Sequence, residues 1–295
     1  MMVVFLSGLS LLILEKSTKS YAEVLGIQRD NQGAIYASTV IEAMSELMKL
    51  DDASYDGLAD MWVALPSIPV KDGYVYIQIR GSDAKLPING LATADNKTQE
   101  RMQTAFETLF SDLGYEDELW KSLKDWVSPA ESVPVSNTVT GTTFNVEGNS
   151  YAAKYAPLDT LYEIRLLPEF PAVYEDLSLY ITPGNVAPQI NINLAPDVVI
   201  SAFLPELAPY VNEIISKREE NPFTKKDDIY SIVGQGNQEL YTAVLPFFDV
   251  KSSLFYVKVE VNILDGIQYY HILMSRSNKT MNVVRYIEGG PLDYF

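Results

Sequence analysis

The chain has 295 residues, 47% hydrophobic and 21% charged, proportions that exclude a disordered or low-complexity chain. Acids outnumber bases 39 to 22, and the net charge of −17 argues against nucleic acid, whose phosphates require Lys and Arg, and against a general attraction to anionic lipid. With no cysteine and a single histidine, His271, there is no disulfide framework, thiolate metal site or cysteine nucleophile, and a histidine-based triad or metal site has one residue to draw on.

Residues 1–14, MMVVFLSGLSLLIL, carry no charge and end at Glu15-Lys16. As a helix the run is about 21 Å long, short of the ~30 Å hydrocarbon core, and taken alone it is similar to the apolar part of a signal peptide. No basic residue precedes it and no A-x-A-like cleavage site follows it, so the reading is a membrane anchor, with a few further residues expected upstream. Ala37, Val40, Ile41, Met44, Leu47 and Met48 then follow the i, i+3, i+4, i+7 spacing of an amphipathic helix, which predicts that the same helix continues to about residue 50. One of its faces is expected to cover the protein's own sheet and the other to contact partner helices, with Val40, Ile41, Met44, Leu47 and Met48 as the helix-contact residues.

Val75, Ile77 and Ile79 alternate with Tyr74, Tyr76 and Gln78, which predicts a half-buried strand over 74–80. Between about 86 and 246 the period is helical. Met102, Ala105, Phe106, Leu109, Phe110 and Leu113 form one stripe, stopped at Gly114, and Leu119, Leu123, Trp126 and Val127 form the next. After a threonine-rich stretch from Ser128 to Ser150, further helices are predicted over 158–167, 171–180, 197–216 and 225–233, with Thr224 and Asp227 spaced as a capping box. Phe255, Val257, Val259, Val261 and Ile263 alternate with Tyr256, Lys258, Glu260 and Asn262; Asp265-Gly266 supplies a turn, and strands follow over 268–276 and 281–287, with His271 a packing residue in mid-strand. An early strand and late strands around a helical middle imply an α+β domain carrying a large insertion. The divisions are residues 1–50, the anchoring and amphipathic helix; 51–85 with 247–295, the sheet domain; and 86–246, an inserted all-helical domain of two modules, about 86–127 and 157–246.

The order of several motifs resembles minor pseudopilin K of bacterial type II secretion. They are Lys85-Leu86-Pro87-Ile88-Asn89, Asp125-Trp126-Val127, the segment from Pro157 to Pro168, Ile190-Asn191-Ile192-Asn193-Leu194-Ala195-Pro196, then Arg218, Pro222-Phe223-Thr224, Asp227-Asp228-Ile229 and Ser253 through Arg276. The resemblance implies a pilin-like fold, a long amino-terminal helix packed on an antiparallel sheet with an all-helical (SAM-like or helix-hairpin-helix-like) domain inserted between strands. It also implies a structural role without catalysis, at the tip of a short periplasmic filament. The implied partners are the I and J minor pseudopilins, the major pseudopilin and the inner-membrane assembly platform, with a single-pass inner-membrane anchor and the bulk of the chain in the periplasm. A minor pilin of a type IV pilus-like system shares this anatomy.

Two inherited features are altered. Leu194 stands where the family often has Thr, which leaves Asn193 as the nearest residue to cap the following helix. The family's calcium site follows the Asp-Trp segment; here Ser128 replaces an acid, and Asp125, Glu131 and Glu147 remain as oxygen ligands for a possible calcium. Helix-hairpin-helix units elsewhere bind DNA through a glycine turn, but the corresponding turn here, Leu167-Pro168-Glu169-Phe170, carries a glutamate that blocks and repels phosphate. Gly234-Gln235-Gly236 lacks the strand–turn–helix setting of a nucleotide site and reads as a helix stop. The bulk of the insertion and the lack of any acid before Glu15 point to a filament cap and not a repeating shaft subunit.

Overall fold

The computed structural model describes residues 2–129, 143–146, 149–184, 188–234 and 237–295. Its first element is one unbroken helix, Met2–Leu50, in a stretch that contains no proline. From about residue 29 the helix lies on a five-stranded antiparallel sheet, with Ala37, Val40, Met44 and Met48 buried in the interface. Gly33 marks the closest approach: a Cβ there would stand 2.0 Å from Oε1 of Gln268 and 2.4 Å from the Tyr270 hydroxyl.

The strands run in spatial order Ile68–Val70, Gly73–Gly81, Leu254–Ile263, Gly266–Ser277, Thr280–Gly289. The chain leaves the sheet after Gly81 and returns as the central strand beside the one it left, with Ile77 opposite Val259. The period-two alternation places Phe255, Val257, Val259, Val261 and Ile263 under the helix, while Tyr256, Lys258, Glu260 and Asn262 take the other face. The turn sits one residue earlier than Asp265-Gly266: Leu264 and Asp265 take the left-handed backbone (φ 49° and 56°), and Gly266 already pairs with Ile263. A bulge in the last strand pairs Leu273 with Arg285 and Met274 with Val283, leaving Val284 out of the ladder.

The inserted domain has its own apolar core, from Leu86 to Val250, separate from the helix-and-sheet core. Asn96–Asp112 is capped by Asp95, whose carboxylate accepts from the Thr98 amide (2.9 Å), and ends before Gly114 at φ 79°. Asp117–Val127 and Phe170–Leu177 follow as helices. Three expected helices differ. Residues 158–167 hold only a 3-10 helix, Leu161–Leu166, closed by a reciprocal Thr160–Glu163 capping box. The stretch 197–216 divides into Asp197–Phe203, a 3-10 segment Pro205–Tyr210 and Val211–Glu220, because Pro205 and Pro209 cannot donate to an α-helical ladder. The 225–233 stretch begins as 3-10, Lys226–Ile229, and its cap is Asp228, which accepts from the Thr224 and Lys225 amides, while Asp227 accepts from the Tyr241 hydroxyl (2.7 Å). The helix Gln238–Val244 was not expected, nor were two short parallel pairings, Leu86–Pro87 with Ile181–Thr182 and Ile190–Asn191 with Phe248–Asp249.

Candidate functional site

The amino-terminal helix has two apolar sides. Val40, Met44 and Met48 face the sheet and are buried; Ile41 and Leu47 are half-buried and pack on the same core. These residues therefore hold the helix to its own domain, and the side turned away from that domain is the opposite one. There Tyr21, Val24, Ile27, Asn31 and Ile35 recur every three or four residues, roughly 180° around the axis at 100° per residue. Val24, Ile27 and Ile35 are 60%, 62% and 63% exposed, and they line a shallow groove with Gln28, Asn31 and Gln32.

Residues 14 to 24 are exposed throughout, so the helix projects past the sheet as a free rod. A large apolar stripe on such a rod marks a contact surface, since monomers rarely leave contiguous apolar area open. Among the described residues no helix is long and apolar enough to cross a membrane. The outer stripe was legible in principle as a second 3.6-residue period, but the stronger stripe from Ala37 to Met48 masked it.

Of the calcium candidates, Asp125 is buried on the last turn of Asp117–Val127, and Glu131 and Glu147 lie outside the described residues. Asp51, Asp56 and Asp60 do converge, with carboxylate oxygens within 4.8 Å of one another. A guanidinium already occupies that centre. Arg276 donates through Nη1 to Asp56 Oδ1 (2.9 Å), through Nη2 to Asp56 Oδ2 and to the Ser252 carbonyl (2.9 Å), and lies 4.0 Å from Asp51. The Ser252 amide donates to Asp56 as well (2.5 Å). Burial raises the pKa of Asp51 and of Asp60. The cluster is a buried ion-pair network tying the loop after the helix to the returning strand.

Asn193 does not cap the helix at 197. Its amide group donates to the carbonyls of Phe223 (2.9 Å) and Val250 (3.2 Å) and accepts from the Phe223 amide (2.9 Å), so it joins three segments of the inserted domain. Leu194 reaches the sheet core instead, 2.8 Å from where a Cβ on Gly81 would stand. In the 167–170 turn Glu169 takes the left-handed backbone (φ 72°) that a glycine would adopt, and its side chain is exposed. His271 is fully buried, with Tyr256 on Nδ1 (2.7 Å) and the Gly290 carbonyl on Nε2 (2.8 Å), and burial pushes its pKa down to about 4.

With this geometry in view, the chain can be set beside known proteins. No curated protein matches it in sequence. A chain of the crystal structure of the GspK-GspI-GspJ complex from the enterotoxigenic Escherichia coli type 2 secretion system has the same fold, at a TM-score of 0.70 and 17% identity, over 89% of this chain and 98% of that one. The helix, the sheet and the inserted domain are thus an α+β arrangement shared with that structure. Residues 84–183, from the exit of the sheet through the first half of the insertion, match the family model for the type II secretion system (T2SS), protein K. Over those 100 residues the chain is similar to the type II secretion system protein K family.

Proposed function

We propose that this protein is a structural minor pseudopilin of a type II secretion apparatus, joining I- and J-type minor pseudopilins in a complex at the tip of a short periplasmic filament. The observation that carries the reading is the second apolar stripe of the helix, Val24, Ile27 and Ile35, on a rod that projects from the domain. The family match and the likeness to a chain of a three-protein pseudopilin complex support it. In this reading the uncharged run of residues 1–14 anchors the chain in the inner membrane and the remainder occupies the periplasm. The inserted domain is as large as an ordinary domain and projects from a small sheet core, a shape suited to a terminal subunit with nothing stacked above it.

The role is assembly, without catalysis. Co-purification tests it: tagged protein should retain I- and J-type partners from detergent-solubilised envelopes, and a Val24→Asp, Ile35→Asp double variant should lose them while keeping its melting temperature. Labelling in isolated secretion complexes should give signal at one filament end. Signal spaced along the shaft, or full partner recovery by the double variant, contradicts the reading.

A further inference from the structure

The two apolar cores do not merge, and the backbone leaves the sheet for the insertion after Gly81 and returns before Leu254, while Tyr55 in the loop after the first helix packs on the insertion core, the Asp56 amide donates to the Val250 carbonyl (2.9 Å) and Leu194 of the insertion packs on the sheet core. These crossings lie side by side. The carboxylate of Asp83, on the outgoing crossing, accepts from the Ser253 amide (2.5 Å) and hydroxyl (3.0 Å) on the returning one. Leu194 and Asp56 make their contacts beside these same crossings, against Gly81, Val250 and Ser252, so all of these attachments gather at one edge and form one hinge region.

A second attachment is made by residues 290–295, which follow the last strand and fold back into the seam between the cores. Toward the sheet, the Asp293 carboxylate bridges Arg80 (2.6 Å) and Lys258 (2.9 Å), and the Gly290 carbonyl accepts from Nε2–H of His271 (2.8 Å). That bond sets the tautomer, leaving Nδ1 to accept from the Tyr256 hydroxyl. Toward the inserted domain, the Tyr294 carbonyl accepts from the Leu161 amide (2.7 Å) and the Asp293 carbonyl from the Tyr174 hydroxyl. The Tyr294 ring is stacked between Tyr162 of the inserted domain (4.6 Å, 3°) and His271 of the sheet (4.2 Å). Phe295 is fully buried against Tyr256, and both rings belong to neither core. Arg285 also reaches Asp159 across the seam, but this pair is about half exposed and contributes little.

We propose that residues 290–295 are a releasable clasp that holds the inserted domain in one orientation on the sheet, and that opening it lets the domain turn about the Asp83–Ser253 hinge. The clasp suits release because its ion pairs and hydrogen bonds can be exchanged for water, and its apolar part is small, Leu292 at the margin of the insertion core and Phe295 between the cores. Its residues touch both bodies within a six-residue span, so that losing the span uncouples them together.

The absence of native cysteine makes the test direct. Spin labels on Ser216→Cys in the inserted domain and Asn282→Cys on the last strand, both exposed, report the orientation in the full chain as a distance distribution. The parent should give one narrow distribution. Asp293→Ala with Tyr294→Ala should broaden it at least twofold while circular dichroism stays unchanged. Gly289→Ala provides a second perturbation: its Cβ would lie 2.7 Å from the Tyr294 ring, displacing that ring while Asp293 stays intact, and it should broaden the distribution as well. A distribution as narrow as the parent's in a folded variant overturns the clasp. So does equal broadening by Arg285→Ala, which removes only the surface pair.

Discussion

Replacing Arg276 with Met should destabilise the protein by about 3–5 kcal/mol, the usual loss when one member of a buried ion pair is removed and its partner stays behind. The Arg276 side chain is 3% exposed and that of Asp56 is 0%, so solvent and salt screen the pair little. Methionine replaces most of the stem volume over the Phe255 ring, where the guanidinium carbon now lies 4.9 Å from the ring centroid, so the cavity term is small. What remains is electrostatic. Asp56 keeps the Ser252 amide but loses both guanidinium bonds, with Asp51 and Asp60 close by and the Ser252 carbonyl deprived of its donor.

A deficit of that size lowers the melting temperature on the order of 10 °C. Urea unfolding followed by tryptophan fluorescence is a suitable assay, since Trp62 packs edge-on against Phe255 (5.4 Å) beside the network. Asp56→Asn placed on the variant should recover part of the loss, as coupled partners do. A loss under about 1 kcal/mol at pH 7, with no recovery from Asp56→Asn, would falsify the reasoning.

Met44→Ala should cost about 2–5 kcal/mol of stability by chemical denaturation, whereas Ile35→Ala on the outer side should stay within about 0.5 kcal/mol and weaken partner recovery instead. His271 titrates at about 4, pushed down by burial from an ordinary value near 6.5, so the fold holds the neutral ring. The stability it contributes is complete above pH 6.5 and is lost as the pH falls toward 4, up to about 3 kcal/mol, and His271→Gln should flatten that part of the stability–pH curve. Calcium added to chelator-treated protein should raise the melting temperature, and Asp125→Asn should abolish most of the rise; a parent that melts identically with and without calcium removes Asp125, Glu131 and Glu147 as ligands.

The sequence by itself determined those elements whose burial repeats along the chain. The alternation from Phe255 to Ile263 made a central strand with one face inward, and the stripe from Ala37 to Met48 placed the helix on it, because period and burial are both local properties of consecutive residues. The stripe from Met102 to Leu109 and the glycine at 114 likewise bounded a helix. Only the tertiary structure decided the rest. Nothing near Arg276 says that its partner is Asp56, 220 residues away, since any acid could neutralise it and topology chose one. The Asn193 amide looked like a cap from its neighbours in the chain and became a brace once Phe223 and Val250 were folded against it. Residues 158–167 carry helical spacing yet only Leu161–Leu166 winds, as a 3-10 helix, held by Glu163 on the Thr160 amide and by Tyr294 on that of Leu161, the second a contact that no local window contains. Tyr162, Tyr174, Tyr256, His271 and Asp293 read singly as ordinary polar or aromatic residues. They form one junction because the inserted domain folds against the sheet that it interrupts, and the pairing of distant groups is settled by that packing and not by any period in the sequence.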